Sequence, residues 1–229
     1  MYHWFQSIVN SRPLTASKME YIGQSREGRP IHAYVSGDGP VRINLIGGCH
    51  ADEPVGPRFL LHLSGFLDDL VSDHPAQTRF RWTIVPHVNP DGERRNRRWV
   101  QGQPDSYDPI AYLRYRSREQ PGDDIEFGFP SDVSDKDTRP ENRAVFEWWR
   151  ALAPFHLHLS LHGMGFGGGP WFLVEPGWVY RLMPLIRQCR NRVVELGYLL
   201  HDVDRAGEKG FWRLGPGFST RPDSAAMRM

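Results

Sequence analysis

Val55, Phe59, Leu60, Leu63, Phe66, Leu67 and Leu70 recur at the three- and four-residue spacing of one helical face, which predicts a helix over residues 54–71. Runs of a different period flank it. Residues 41–47, VRINLIG, form an apolar run that enters a Gly-Gly turn, and residues 80–88, FRWTIVPHV, read as a buried strand entering a turn at Asn89-Pro90-Asp91-Gly92. Over residues 155–162, Phe155, Leu157, Leu159 and Leu161 alternate with His156, His158, Ser160 and His162, the period of a strand. Upstream, turns at residues 27–28 and 37–40 bracket a strand at 31–36, so an antiparallel hairpin is expected to lead into residues 41–47. Further helices are expected over residues 139–153, opening at Pro140 and Glu141, and from about 178 to 199, with a strand at 171–174 between them. A short helix with Trp4, Phe5, Ile8 and Val9 on one side is expected near the start. From residue 93 to about 138 the periodicity disappears. That segment, rich in Arg, Asp, Gly and Pro, is expected to be a long functional or disordered loop, and the tail from residue 201 also has no clear period. Strands alternating with helices predict an α/β sandwich with a mixed, largely parallel sheet.

A chain of 229 residues with 39% hydrophobic and 24% charged residues is long enough for one sizeable domain, expected to span residues 1–229. The net charge of +1 gives no argument for a nucleic-acid partner or a polybasic membrane anchor. Cys49 and Cys189 make no disulfide framework, which points to a reducing compartment. No run approaches the ~20 apolar residues of a membrane span, so a soluble, cytoplasmic protein is expected.

The chemistry concentrates where the run at 43–47 ends, in INLIGGCHADEPVGP. His50 and Glu53 are three residues apart at the carboxyl end of a strand, and His162 ends a second one. Two imidazoles and a carboxylate would form a zinc site with a fourth position for water. The plain alternative makes His50 a turn residue, Glu53 a carboxylate favoured at a helix N-terminus and His162 a satisfied core histidine. His156 and His158, on one strand face, are a rival metal pair, though alternating strand histidines are more often buried polar residues. Arg94, Arg95, Arg97 and Arg98 crowd the segment after NPDG. They read as a solvated basic loop or, beside a metal, as a source of an oxyanion-stabilising guanidinium.

Five blocks, YIGQSREGRPI, GGCHADEPVG, VNPDGERRNRRW, RPENRA and LSLHG, occur in order over residues 21–165, and together they resemble the zinc carboxypeptidase family of the carboxypeptidase A type. The resemblance implies a three-layer α/β/α fold and Zn²⁺ held by His50, Glu53 and His162. It implies that Asp124 fixes the tautomer of the first histidine, and that Arg94 polarises the scissile carbonyl, with Arg95, Arg97 and Arg98 as close rivals. Where relatives carry an Asn-Arg pair that grips a substrate carboxylate, this chain has Glu126 and Phe127; these two, with Arg97 and Arg98, are the expected substrate-binding residues. None of Glu175, Glu195 and Glu208 falls at the spacing of the family's catalytic glutamate, so a chain cut short at its C-terminal end is expected. The implied activity is hydrolysis of peptide or peptide-like amide bonds. The alternatives are a noncatalytic metal- or peptide-binding module and a deacylase of N-acyl amino acids.

Overall fold

A computed structural model describes residues 7, 8, 10–100, 108–120, 122–135 and 137–227. The chain falls into two compact units, residues 1–163 and 164–229. Of the expected first helix, Trp4, Phe5 and Val9 lie outside the described residues, while Ile8 is buried.

The first unit is built on five strands: β1 (Glu20–Gln24), β2 (Pro30–Ser36), β3 (Val41–Gly47), β4 (Phe80–Val85) and β5 (Leu157–Leu161). They form a mixed sheet in the order β1-β2-β4-β3-β5. β1 with β2 and β2 with β4 are antiparallel, whereas β3 runs parallel to both β4 and β5. The expected hairpin at residues 20–36 is present, but its second strand pairs with β4 rather than continuing into β3. Alternation along β3 divides the core. Ile43 and Leu45 meet Leu60, Leu63 and Leu67 from helix α1 (Val55–Asp68) on one face. On the other face Ile46 packs with Val85, Val88, Ile125 and Val145. Helices on both faces make the three layers, because a sheet with two apolar faces needs a cover on each.

Helix α2 (Pro75–Thr78) precedes β4, and three further helices follow it: α3 (Pro90–Val100), α4 (Pro109–Tyr115) and α5 (Pro140–Leu152). α3 and α4 occupy part of the stretch expected to be irregular. Their apolar period is missing because the inward face of α3 is polar: Asp91, Gly92 and Asn96 are its buried residues. Asp91 accepts from Ser25 Oγ at 2.6 Å, Glu27 N at 3.1 Å and Arg29 Nη1 at 2.6 Å, which ties α3 to the β1–β2 turn. Asn89 caps the helix through Gly92 N at 2.9 Å. Arg94, Arg95, Arg97 and Arg98 all point out to solvent.

The second unit carries β6 (Phe172–Val174), α6 (Val179–Glu195), β7 (Arg213–Gly215), β8 (Phe218–Thr220) and a single-turn α7 (Ser224–Met227). β8 is central, parallel to β6 and antiparallel to β7. Val174, Ile186 and Phe218 form its core, with Phe172 stacked on Phe218 at 4.6 Å. The two short strands β7 and β8 were not expected, since three-residue strands are too short to show a period. Among the described residues no helix is long and apolar enough to cross a membrane.

Two glycines let the first unit close around the carboxyl ends of β3 and β5. Gly48 has φ +71°, and a side chain there would meet the His87 ring. Gly56, in the first turn of α1, lies so close to β5 that an added Cβ would stand 2.4 Å from Leu161 O. Gly56→Ala gains less than about 1 kcal/mol of helix propensity but forces the helix off the strand, which typically costs about 1–3 kcal/mol. The expected outcome is a net loss of stability of about 1–2 kcal/mol in denaturant titration. An unchanged midpoint would mean that α1 does not need this close approach.

Candidate metal centre

β3 and β5 are parallel neighbours whose last residues, Gly47 and Leu161, are register partners. The chain beyond each strand therefore emerges at one place, as expected for sites at strand carboxyl ends. After β3 it turns at Gly48, and a further turn closed by Glu53 N to His50 O at 3.3 Å brings both side chains to one side. After β5 the next residue is His162.

The three side chains converge. Glu53 Oε1 lies 3.0 Å from His50 Nδ1 and Glu53 Oε2 lies 2.8 Å from His162 Nδ1. The two Nδ1 atoms are 3.2 Å apart. Gly163 N donates to Glu53 Oε2 at 3.1 Å, holding the carboxylate from the backbone of the neighbouring strand end. The outer nitrogens face carboxylates, with His50 Nε2 3.2 Å from Asp124 Oδ2 and His162 Nε2 3.5 Å from Glu126 Oε2. Ser160 Oγ stands 3.0 Å from both His162 Nε2 and Glu126 Oε2.

Asp124 and Glu126 reach the histidines because Ile125 between them is fully buried against Val85, Val88 and Val145. Asn142 of α5 donates to Ile125 O at 2.7 Å, and Arg139 donates to Asp123 O at 2.8 Å, so the segment is fastened on both sides of that apolar peg.

Burial works against charge on all four central groups, and their mutual pairing overcomes it. For His50, burial lowers the pKa, but Asp124 and Glu53 outweigh it and hold the imidazole at about 10. His162 is raised to about 9 in the same way, against burial, by Glu126 and Glu53. Burial raises the carboxylates, yet His162 and His50 bring Glu53 down to about 2, and His162 brings Glu126 to about 2. Cys49, buried beside Glu126, is pushed well above the usual thiol range by burial and then by that carboxylate, so it is a thiol.

The donor set fits zinc. Ligand atoms of His50, Glu53 and His162 lie within 4.8 Å of one another, and two of the three side chains are partly buried. Ligand atoms around a tetrahedral zinc stand about 3.4 Å apart, close to the 2.8–3.2 Å separations here. Imidazoles with an outer nitrogen tied to a carboxylate are the usual second layer of such sites.

Of the other residues singled out by sequence, Arg94 and Arg97 are exposed on α3 and make no hydrogen bond or ion pair to the cluster, and Arg98 lies over the Tyr115 ring at 3.9 Å. Arg95 pairs with Glu27 at 2.5 Å. The guanidinium at the cluster is that of Arg118, with Nη2 3.3 Å from Glu53 Oε1 and Nε 3.0 Å from Asp52 Oδ1. Asp52 is buried and also accepts from Tyr112 OH at 3.1 Å. Asn96 clasps the backbone just before Arg118, giving Nδ2 to Ser117 O at 2.8 Å and taking Ser117 N at 2.9 Å. The density of arginines at 94–98 hid Arg118; the available signal was its place six residues before Asp124. Glu126 stands against His162 and Ser160, and Phe127 beside it is partly buried. His156 and His158 are spent on the sheet, where His156 Nδ1 accepts from Arg42 N at 3.0 Å and His158 Nδ1 lies 2.7 Å from Asn44 Nδ2.

A family model described as zinc carboxypeptidase matches residues 1–166. Carboxypeptidase D of Homo sapiens is 30% identical over 153 residues, covering 62% of this chain and 10% of that protein. Carboxypeptidase SOL1 of Arabidopsis thaliana is 30% identical over 157 residues, covering 64% of this chain and 29% of that one. The chain thus spans less than a third of the length of either relative. Among solved structures, a metallo-carboxypeptidase from Pseudomonas aeruginosa in complex with (2-guanidinoethylmercapto)succinic acid superposes with a TM-score of 0.51 at 16% identity, covering 98% of this chain and 53% of that one. That likeness concerns the fold.

Metal analysis is expected to find about one zinc per chain, lost in His50→Ala and in His162→Ala; unchanged content in both variants would remove these ligands from the site. The pKa values give the pH dependence a sign. With their folded pKa raised to about 10 and about 9, both imidazoles hold a proton at pH 7 that a metal must displace. Zinc affinity should therefore rise with pH between 6 and 8, by about ten- to a hundredfold per unit for one or two protons released. Calorimetry in two buffers of different ionisation enthalpy counts those protons, and zero released would contradict the protonated state of the metal-free pair.

Proposed function

The chain belongs to the zinc carboxypeptidase family, and on that premise we propose that it hydrolyses peptide or peptide-like amide bonds at a zinc ion held by His50, Glu53 and His162. The observation that carries the reading is the meeting of His50 Nδ1, His162 Nδ1 and the Glu53 carboxylate at one point, with Asp124 and Glu126 behind the two rings. When bound, zinc supplies a Lewis acid for the carbonyl and lowers the pKa of a water to near neutrality.

The remaining work falls to the chain itself. Asp124 holds the Nε2 proton of His50, so Nδ1, on the side of Glu53, is the nitrogen that would give up its proton to present a lone pair to a metal. Gly163 N fixes one oxygen of Glu53, so that the carboxylate keeps its direction. Arg118 is the cation beside the cluster. Its guanidinium, braced by buried Asp52, offers N–H donors to a carbonyl oxygen that gains charge as the amide is attacked. This is the role expected of Arg94 from sequence, and the proposal moves it to Arg118. An Arg118→Lys change keeps the charge but loses the planar fork, and an interaction made only in the transition state lowers kcat and kcat/KM together.

Glu175 pairs with Arg221, Glu195 with Arg192 at 3.1 Å and Glu208 with Arg205 at 2.8 Å, each within the second unit. None is assigned as the group that moves the proton to the leaving nitrogen, a step worth about 10²–10⁴-fold. That pairing favours, as a second reading, a module that binds metal and peptide with little turnover.

Two outcomes test the proposal. Zinc-loaded protein should cleave a panel of short peptides, with Arg118→Ala slower by about a hundredfold or more and its zinc content unchanged. Cleavage that survives Arg118→Ala but is lost in Arg94→Ala would return the role to α3. Because a carboxylate at Glu126 stands beside the cluster, a free substrate C-terminus should be preferred over its amide by less than tenfold, about 1.4 kcal/mol. A larger preference for the free acid would show that a cationic clamp operates.

A further inference from the structure

We propose that Glu126, acting through the Ser160 hydroxyl, is a positioning residue that fixes the tautomer of His162 and strengthens metal binding, rather than a group that touches substrate. This rests on the zinc-site reading above.

His162 presents Nδ1 to Glu53 Oε2 at 2.8 Å, so a metal ligand at this point must be Nδ1 with its lone pair free, and the ring proton must sit on Nε2. The first contact of Nε2 is Ser160 Oγ at 3.0 Å. A serine hydroxyl does not decide the matter, because it can accept from Nε2–H or donate to a bare Nε2, and the second arrangement puts the proton on the ligand nitrogen. Glu126 decides it. Its Oε2 is 3.0 Å from the same Oγ, and an ionised carboxylate only accepts, so the hydroxyl proton goes to Glu126 and the hydroxyl lone pair is left for Nε2–H. The chain of donors then runs one way, from His162 through Ser160 to Glu126.

The fold gives this relay its geometry. Ser160 and His162 are two apart at the end of β5, so they share a face of the strand and approach the same carboxylate. Glu126 follows the buried Ile125, and its side chain is 24% exposed against 31% for His162. On the other ring Asp124 faces His50 Nε2 at 3.2 Å with no hydroxyl between, whereas Glu126 stands 3.5 Å from His162 Nε2 and the nearer partner of that nitrogen is Ser160 Oγ at 3.0 Å. A single loop thus puts a carboxylate behind each imidazole. With Glu53 this would put three carboxylates near a bound dication, and the Arg118 guanidinium, 3.3 Å from Glu53 Oε1, supplies the remaining positive charge.

The test measures zinc affinity by competition with a chromophoric chelator, and the visible absorption of the Co²⁺-loaded protein, for wild type, Glu126→Gln, Ser160→Ala and the double variant. Glu126→Gln keeps the shape but offers an amide N–H to Ser160, so the direction of the relay is no longer enforced. Each single variant is expected to weaken zinc binding by about 10–100-fold and to shift the Co²⁺ bands. The double variant should be no weaker than the poorer single one, because both break the same relay. Thermal unfolding of the metal-free forms shows which variants fold, and Ser160→Ala alone suffices if Glu126→Gln does not. An affinity within twofold of wild type and unshifted Co²⁺ bands in a folded variant would falsify the relay while leaving the metal site standing. A wild type that takes up no zinc, with His50→Ala behaving identically, overturns the site and the relay with it.

Discussion

The parallel pairing of β3 with β5 is the constraint on which the centre depends. Antiparallel neighbours would deliver their carboxyl ends to opposite edges of the sheet; here Gly47 and Leu161 are register partners, and the residues after them need span only a few ångströms to meet. A slip of β5 by one residue would turn Ser160 and His162 to the other face and leave Glu53 with one imidazole. Gly56 guards this arrangement from the side, since α1 lies against the carbonyl of the last β5 residue.

Around that apolar frame the site is supported by buried polar groups, each held by specific partners. Asp91 gathers the turn before β2 onto α3, and Asn96 passes the restraint on to the backbone before Arg118. Glu141, fully buried, accepts from Arg139 at 3.1 Å and from Arg26 N at 3.1 Å beside the segment that carries Asp124. A buried carboxylate left without donors costs several kcal/mol, so removing one partner in such a network is more damaging than the modest net value of a hydrogen bond would imply. These networks make the loop between α4 and α5 part of the scaffold.

The parts of this design that were legible in the sequence are those written in apolar period. The bounds of β3 and the apolar face of α1 follow from side chains that face a dry core, and β5 shows the period of a strand although its Leu157 and Leu159 are exposed. His50, Glu53 and His162 were legible because they sit where such runs stop. The helix α3 was not, because its buried face is Asp91, Gly92 and Asn96 and its exposed face is arginine, so nothing in its hydropathy marks an inside. Arg118 was missed for a related reason. Arginine density says where charge is solvated, whereas the one that reaches Glu53 is selected by Asp52 and by the grip of Asn96 on Ser117, contacts that no local pattern encodes.

Ile125 is a single aliphatic side chain, yet its burial locates the carboxylates on either side of it. The centre therefore shares a thermodynamic account with the layer beneath it. Work done in lifting Ile125 away from Val145 is also work done in withdrawing negative charge from both imidazoles at once. A cation held between those imidazoles would therefore be bound less firmly whenever α5 loosened against the sheet. A substitution that only trims volume in the core would thus be felt at the ligands as a change in electrostatic potential, with no ligand altered.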